Sequence, residues 1–272
     1  MVPTLSIVLI ITNMLLGIII PVGLVVFFRK RYQASVKSFF VGCAVMLLFA
    51  LVLEQIVHMV VLGSAAGVAI QSRTWAYALY GALMAGVFEE TGRFLAMRYV
   101  LKKEHKDAHN ALMYGAGHGG FEMFVILSMG MVNNLIYALM INMGQTQTLL
   151  ASLDDVSKNT LQAAFDTLIQ TPSWQFALSP VERIAAITAQ IGLSVIVWFA
   201  ATGKKSRMSL LFLAIALHAL LDGVAVVTSR SGMPLIAVEA LVWVMTVGIV
   251  FVAVNIWKKM GEAGEYRGKE VL

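Results

Sequence analysis

The sequence predicts an all-α membrane protein, a polytopic bundle of about seven transmembrane helices with an amphipathic helix on its outer side. Three observations predict it. The 272 residues are 59% hydrophobic and only 13% charged, with a mean hydropathy of +0.82, which leaves too little charge to coat a water-soluble domain. Several runs exceed the roughly 18 apolar residues that mark a membrane span. Those runs are continuous rather than alternating, which selects helices over a barrel. No internal repeat or low-complexity segment interrupts them, so a single integral membrane domain, 1–272, is expected.

The spans are expected near 4–28, 38–62, 75–99, 111–132, 181–201, 208–228 and 234–257. The first, within MVPTLSIVLIITNMLLGIIIPVGLVVFF, has no basic residues ahead of it and runs into Arg29, Lys30 and Arg31. That reads as a retained anchor rather than a cleaved signal peptide. The lone Cys43 falls in the second span, which excludes a disulfide framework and a cysteine zinc cluster.

The net charge of +5 and a pI near 9.4 need no nucleic-acid partner, because membrane proteins gather Lys and Arg at their cytosolic ends. Here the clusters are Arg29, Lys30, Arg31 and Lys37; Arg98, Lys102, Lys103 and Lys106; Lys204, Lys205 and Arg207; and Lys258, Lys259, Arg267 and Lys269. These fall on alternate loops and leave only Arg73, Lys158, Arg183 and Arg230 for the other side. The expected orientation in the cell membrane is N-terminus outside and C-terminus in the cytosol.

The single long connection, 144–180, then lies outside. Leu153, Val156, Leu161, Ala164, Phe165 and Leu168 recur in it at helical spacing, among Asp154, Asp155, Lys158 and Asp166, as in a helix lying on the membrane surface. A packing lid and a substrate gate are equally consistent with that pattern. Ser179-Pro180-Val181-Glu182 is expected to open the fifth span, with Ser179 as N-cap and Pro180 at the first helical position.

An ionisable residue near the centre of a span costs on the order of 2.5–3.5 kcal/mol on insertion scales, so a group of them needs an explanation. The third span carries Glu89, Glu90 and Arg93, the fourth His118 and Glu122, and the sixth His218 and Asp222. At about 1.5 Å per residue, Glu90 lies ~16 Å in from Leu101, His118 ~10 Å from Ala111 and His218 ~15 Å from Met208. Three helices placed independently thus bring these side chains to nearly one level, which points to one site. The pairs His118/Glu122, His218/Asp222 and Glu89/Arg93 are spaced i,i+4 and Glu90/Arg93 i,i+3, so each pair shares a helix face. Arg93 can neutralise one carboxylate and leave the other for chemistry.

Two histidines with carboxylates suit a zinc ion with an open position for water. They equally suit a metal-free glutamate that activates water. Interhelical packing, a proton-coupled transporter and a non-catalytic scaffold use the same residue types. Gly115, Gly117, Gly119 and Gly120 around His118 would admit a substrate backbone or a neighbouring helix. Glu54, Gln55 and His58 in the second span are expected more than ~10 Å outward of this level, as polar packing. His105 and His109 are expected in loops, solvated.

The ordered set Glu89-Glu90 with Arg93, Tyr114 four residues before His118, and His218 four before Asp222 resembles the glutamate-type intramembrane peptidases. That superfamily includes the type II CAAX prenyl proteases and the PrsW-like proteases. Within it the layout is most similar to the YhfC family of bacterial membrane peptidases, over nearly the whole chain. The resemblance implies hydrolysis of a membrane protein or lipidated peptide by a glutamate-activated water. Glu89, Glu90, His118 and His218 would be catalytic, supported by Arg93, Tyr114, Glu122 and Asp222. If zinc is bound, its implied ligands come from His118, His218, Glu122 and Asp222. The CAAX-type motif places three residues between its second glutamate and its arginine, whereas two separate Glu90 from Arg93. The choice between Glu90 and Glu89 as base stays open.

Overall fold

The computed structural model describes residues 1–202 and 207–262. Lys204, Lys205, Arg267 and Lys269 of the basic clusters lie outside them. Every regular element among the described residues is helical. The helices are α1 (Thr4–Tyr32), α2 (Val36–Leu62, with a π-helical stretch Met46–Glu54), α3 (Ala65–Gln71) and α4 (Thr74–Leu95, continued by the π turn Ala96–Val100). They continue with α5 (His109–Asn142, π-helical at Phe124–Met129), α6 (Thr146–Ala151) and α7 (Asp155–Gln170). The last three are α8 (Ser173–Thr202), α9 (Met208–Arg230) and α10 (Leu235–Glu262).

Six of these, α1, α2, α5, α8, α9 and α10, are long and apolar enough to cross a membrane. With α4, whose polar residues set it apart from them, they make the multi-pass arrangement of about seven membrane-length helices. The large apolar side chains left exposed along α1, α4 and α10, among them Leu15, Ile19, Leu79, Leu83, Val247 and Phe251, are the lipid-facing surface that such a chain requires.

Contacts divide the chain into two compact units, Met1–Val22 with Met123–Arg183, and Gly23–Glu122 with the residues from Ile184 on. In the first unit, α7 buries Phe165 and Leu168. Phe165 meets Tyr137 edge-on at 5.2 Å, and Leu168 joins Val2, Ile10, Ala138 and Phe176 in a small core. The amphipathic helix therefore packs on its own unit through its predicted apolar face, although Val156 at its start stays exposed. Asp154 caps it, accepting hydrogen bonds from Val156 N and Ser157 N at 3.1 Å each. Bonds from the Ser157 side chain and backbone hold the Asp154 carboxyl below its usual range.

Two boundaries differ from expectation. The fourth span continues to Asn142, well past 132. The fifth does not start at Ser179. It begins at Ser173, and Pro180 sits inside it. Proline removes the N–H that would bond the carbonyl four residues back, here that of Phe176. The buried Asn13 side chain on α1 donates to the Phe176 carbonyl at 2.8 Å instead, so the helix passes through the proline without an orphaned acceptor. Glu182 pairs with Arg183 rather than closing a capping box.

The second unit holds the largest core, built around Trp198, Phe199, Met97, Leu101 and Tyr114. Within it α9 lies along α4, where small residues let the backbones close in: a Cβ on Gly86 would stand 2.9 Å from Ile215 O. His105 and His109 are not simply solvated. His105 Nε2 bonds Met97 O at 2.7 Å, and His109 stacks on Tyr32 at 4.4 Å while bonding Asp107 at 2.7 Å. Burial pushes the Asp107 carboxyl up, but the bonds from His109 outweigh it and hold that carboxyl below its usual range.

Candidate functional site

All eight predicted site residues lie in the second unit. Glu89, Glu90, Arg93, His118, Tyr114 and His218 are buried. Glu89 Oε2 accepts a hydrogen bond from His118 Nε2 at 2.8 Å and stands 3.9 Å from His218 Nε2. Glu90 Oε1 accepts from His218 Nδ1 at 2.7 Å, and its other oxygen is 3.2 Å from Arg93 Nε. Asp222 Oδ2 lies 3.4 Å from His218 Nε2. The shared depth read from helix rise is thus a shared location: α4, α5 and α9 deliver one continuous network.

The two glutamates occupy different surroundings. Glu90 is fully buried, pinned between Arg93 and His218, whereas the Glu89 side chain keeps 9% of its surface. Arg93 pairs with Glu90 and leaves Glu89 to the histidines and to Gln190. Of the two carboxylates, Glu89 is the one not paired with Arg93 and the one with surface left to meet a further group.

Sequence reasoning missed Gln190 and Ser194 on α8. Arg93 donates to Gln190 O at 2.7 Å and to Ser194 Oγ at 2.6 Å, and also to Gln190 Oε1. The same amide turns its Nε2 to Glu89 Oε2 at 3.0 Å and to Glu122 Oε2 at 3.3 Å. Gln190 is the hub that ties the Arg93 guanidinium, Glu89 and Glu122 together. The available signal was an i,i+4 polar pair, Gln190 and Ser194, on the same buried face of an apolar span. Glu122, which shares a helix face with His118, accepts a bond from Gln190. His118 Nε2 is taken by Glu89, its Nδ1 has no hydrogen-bond partner among the described residues, and Glu122 reaches the network through Gln190.

Tyr114 stacks on His118 with ring centres 6.1 Å apart and faces the Arg93 guanidinium at 6.0 Å, so it holds the imidazole from one side. The glycines around His118 admit helices on two sides. A Cβ on Gly117 would run into Phe39 O of α2. One on Gly115 would stand 2.6 Å from Ile191 Cα, and one on Gly119 2.9 Å from Gln190 Cβ, both on α8. These glycines set how close Gln190 comes to Glu89. Gly117→Val is expected to destabilise the protein by about 1–3 kcal/mol or more, because the obstacle is backbone that cannot rotate away. A thermal unfolding scan in detergent checks this.

Two imidazoles with Glu89 and Asp222 are zinc-type donors by their chemistry. In this structure Glu89 is hydrogen-bonded to His118, and Asp222 lies 3.4 Å from His218; among the described residues no three His, Cys, Asp or Glu side chains are disposed to hold a metal ion.

Fold and network together define a polytopic helical membrane protein with a buried glutamate–histidine–arginine centre. The chain belongs to the family described as YhfC intramembrane metalloprotease, whose model matches residues 16–243. It is also 41% identical, over 217 residues covering 79% of this chain and 82% of the relative, to the uncharacterized membrane protein YhfC of Bacillus subtilis strain 168. No solved structure matches the chain.

Proposed function

We propose that this protein is an intramembrane peptidase in which Glu89 activates the attacking water. The observation that carries the reading is the Glu89–His118 bond of 2.8 Å, with His218 Nε2 3.9 Å from the same carboxylate oxygen. Glu89, held in place by the bond from His118, takes a proton from a water beside it, and the water oxygen attacks the peptide carbonyl carbon. His218, fixed by Glu90 at Nδ1, turns Nε2 toward the side where the carbonyl oxygen becomes an oxyanion. Glu89 then returns its proton to the departing amine as the C–N bond breaks. The substrate is a membrane protein or lipidated peptide, since the network lies at membrane depth.

The family description favours a metal. To hold it, His118 and His218 with Glu89 or Asp222 would have to exchange their present hydrogen bonds and turn toward one ion, and a bound zinc would supply carbonyl polarisation and a more acidic water. Purified protein is expected to carry about one metal per chain, lost in both His118→Ala and His218→Ala. Metal-free, well-folded protein would leave the glutamate-only form of the mechanism.

The alternating basic loops support an orientation with the N-terminus outside. The activity is tested by mapping peptide termini in membranes that hold wild-type protein or His118→Ala. Termini that depend on His118 support the reading. Identical termini, with proton flux that changes on mutation, would sink it in favour of a transporter.

A further inference from the structure

A second polar group lies next to the centre and takes no part in the mechanism above. Glu54 on α2 is buried, with 5% of its surface exposed, and bonds His58 Nε2 at 3.0 Å. His58 Nδ1 is hydrogen-bonded to the Tyr80 hydroxyl on α4 at 2.9 Å. Glu54 lies close enough to Glu89, His218 and Asp222 for their charges to act on it.

The residues step in one direction. α2 and α9 start at the lysine-rich end of the unit and α4 finishes there, beside Lys37, Arg207 and Lys102 respectively. Moving away from that end, Asp222 is about 6 Å beyond His218 on α9, and His58 about 6 Å beyond Glu54 on α2. Tyr80 is about 13 Å beyond Glu89 on α4. Farther still, near the lysine-poor ends of α4 and α9, the Arg230 guanidinium stands over the Tyr77 ring at 3.9 Å. Asp222 adds an independent observation: its side chain is 39% exposed, while Glu90 and His218 beside it are buried. An exposed carboxylate at this depth faces water rather than hydrocarbon.

We propose that Asp222, Glu54, His58 and Tyr80 wall a water-filled cleft leading from the lysine-poor end to Glu89 and His218, with Tyr77 and Arg230 at its mouth. Water enters by this route. On the peptidase reading, so does the peptide segment to be cut, which places the scissile region of the substrate in the half of the membrane away from the lysine clusters. The cleft itself does not depend on that reading.

Thiol labelling tests it in the full-length protein, since replacing Cys43 by Ala leaves no other cysteine. Maleimides need a hydrated thiolate, so a cysteine facing water reacts roughly tenfold faster or more than one facing lipid. Tyr80→Cys and His58→Cys are compared with Leu79→Cys and Met59→Cys, their exposed apolar neighbours, in sealed vesicles of known orientation with a membrane-impermeant maleimide. Fast labelling at 80 and 58 from the lysine-poor side, with slow labelling at 79 and 59, is the expected result. Labelling at 80 and 58 no faster than at the controls, or only from the lysine-rich side, overturns the cleft. Tyr80→Cys keeps the Glu54–His58 pair, so loss of that pair in His58→Cys cannot decide the outcome. No cleavage is measured, so a closed cleft and an absent peptidase activity are told apart.

Discussion

Glu89→Gln is expected to cut the rate of peptide cleavage by about 10²–10⁴-fold, the range for losing a general base, with little change in the midpoint of thermal unfolding. The amide keeps the size and hydrogen-bonding reach of the carboxylate. It still meets His118 Nε2 and Gln190 Nε2 with its carbonyl oxygen, and it removes a charge that no arginine neutralises directly. What it cannot do is accept a proton from water. The decisive comparison is with Glu90→Gln under the same assay. Glu90 is sealed between Arg93 and His218, so its loss should appear first in stability. If Glu90→Gln is the fully folded, inactive variant and Glu89→Gln keeps its activity, the assignment of the base is wrong. Cleavage is read as the disappearance of termini found with the wild type, and folding as monodispersity and unfolding temperature in detergent.

Arg93→Leu is expected to carry the largest stability penalty in the molecule, about 3–5 kcal/mol, the cost of breaking one partner out of a buried ion pair. The guanidinium is fully buried, pairs with Glu90 at 3.2 Å, and donates to Gln190 O and Ser194 Oγ on α8. Without it, Glu90 is a carboxylate in a low-dielectric interior, and Gln190 O, Gln190 Oε1 and Ser194 Oγ each lose one donor. Arg93→Lys should recover only part of the loss, because an ammonium is a point charge and cannot reproduce the fork that reaches three acceptors. The double change Arg93→Leu with Glu90→Leu should unfold at a higher temperature than Arg93→Leu alone, since it removes the stranded charge. A double variant no more stable than the single one would mean the pair does not hold α4 in place.

How far the sequence reaches is set by how much each feature costs in lipid. Ionisable side chains are so unfavourable in a span that their positions carry information. Helix rise alone therefore predicted that α4, α5 and α9 bring Glu89, Glu90, His118 and His218 together, and the bonds of 2.7 and 2.8 Å in the structure agree. Gln190 and Ser194 left only the faint mark of their i,i+4 spacing, because uncharged polar residues are tolerated in spans and many only bond their own backbone. Thr188, which returns its hydroxyl to Ile184 O at 2.7 Å, looks no different in the sequence. The bond from Gln190 to Glu122 was hidden for a related reason. Spacing along one helix shows which residues share a face, but not that α8 inserts an amide between them. The start of α8 was hidden because the carbonyl released by Pro180 is satisfied from α1, by Asn13, which no local pattern reveals.

The two-residue gap between Glu90 and Arg93 works like the pitch of a thread. Successive residues turn about 100° around a helix axis, so one added residue in that gap would swing the guanidinium by that angle, off Gln190 and Ser194 and toward a different neighbour. Gln190 would then lose the contact that orients its amide at Glu89. The arginine thus indexes α4 against α8, and insertions or deletions between 90 and 93 should be far less tolerated than point changes at the lipid-facing positions Val87 and Leu95.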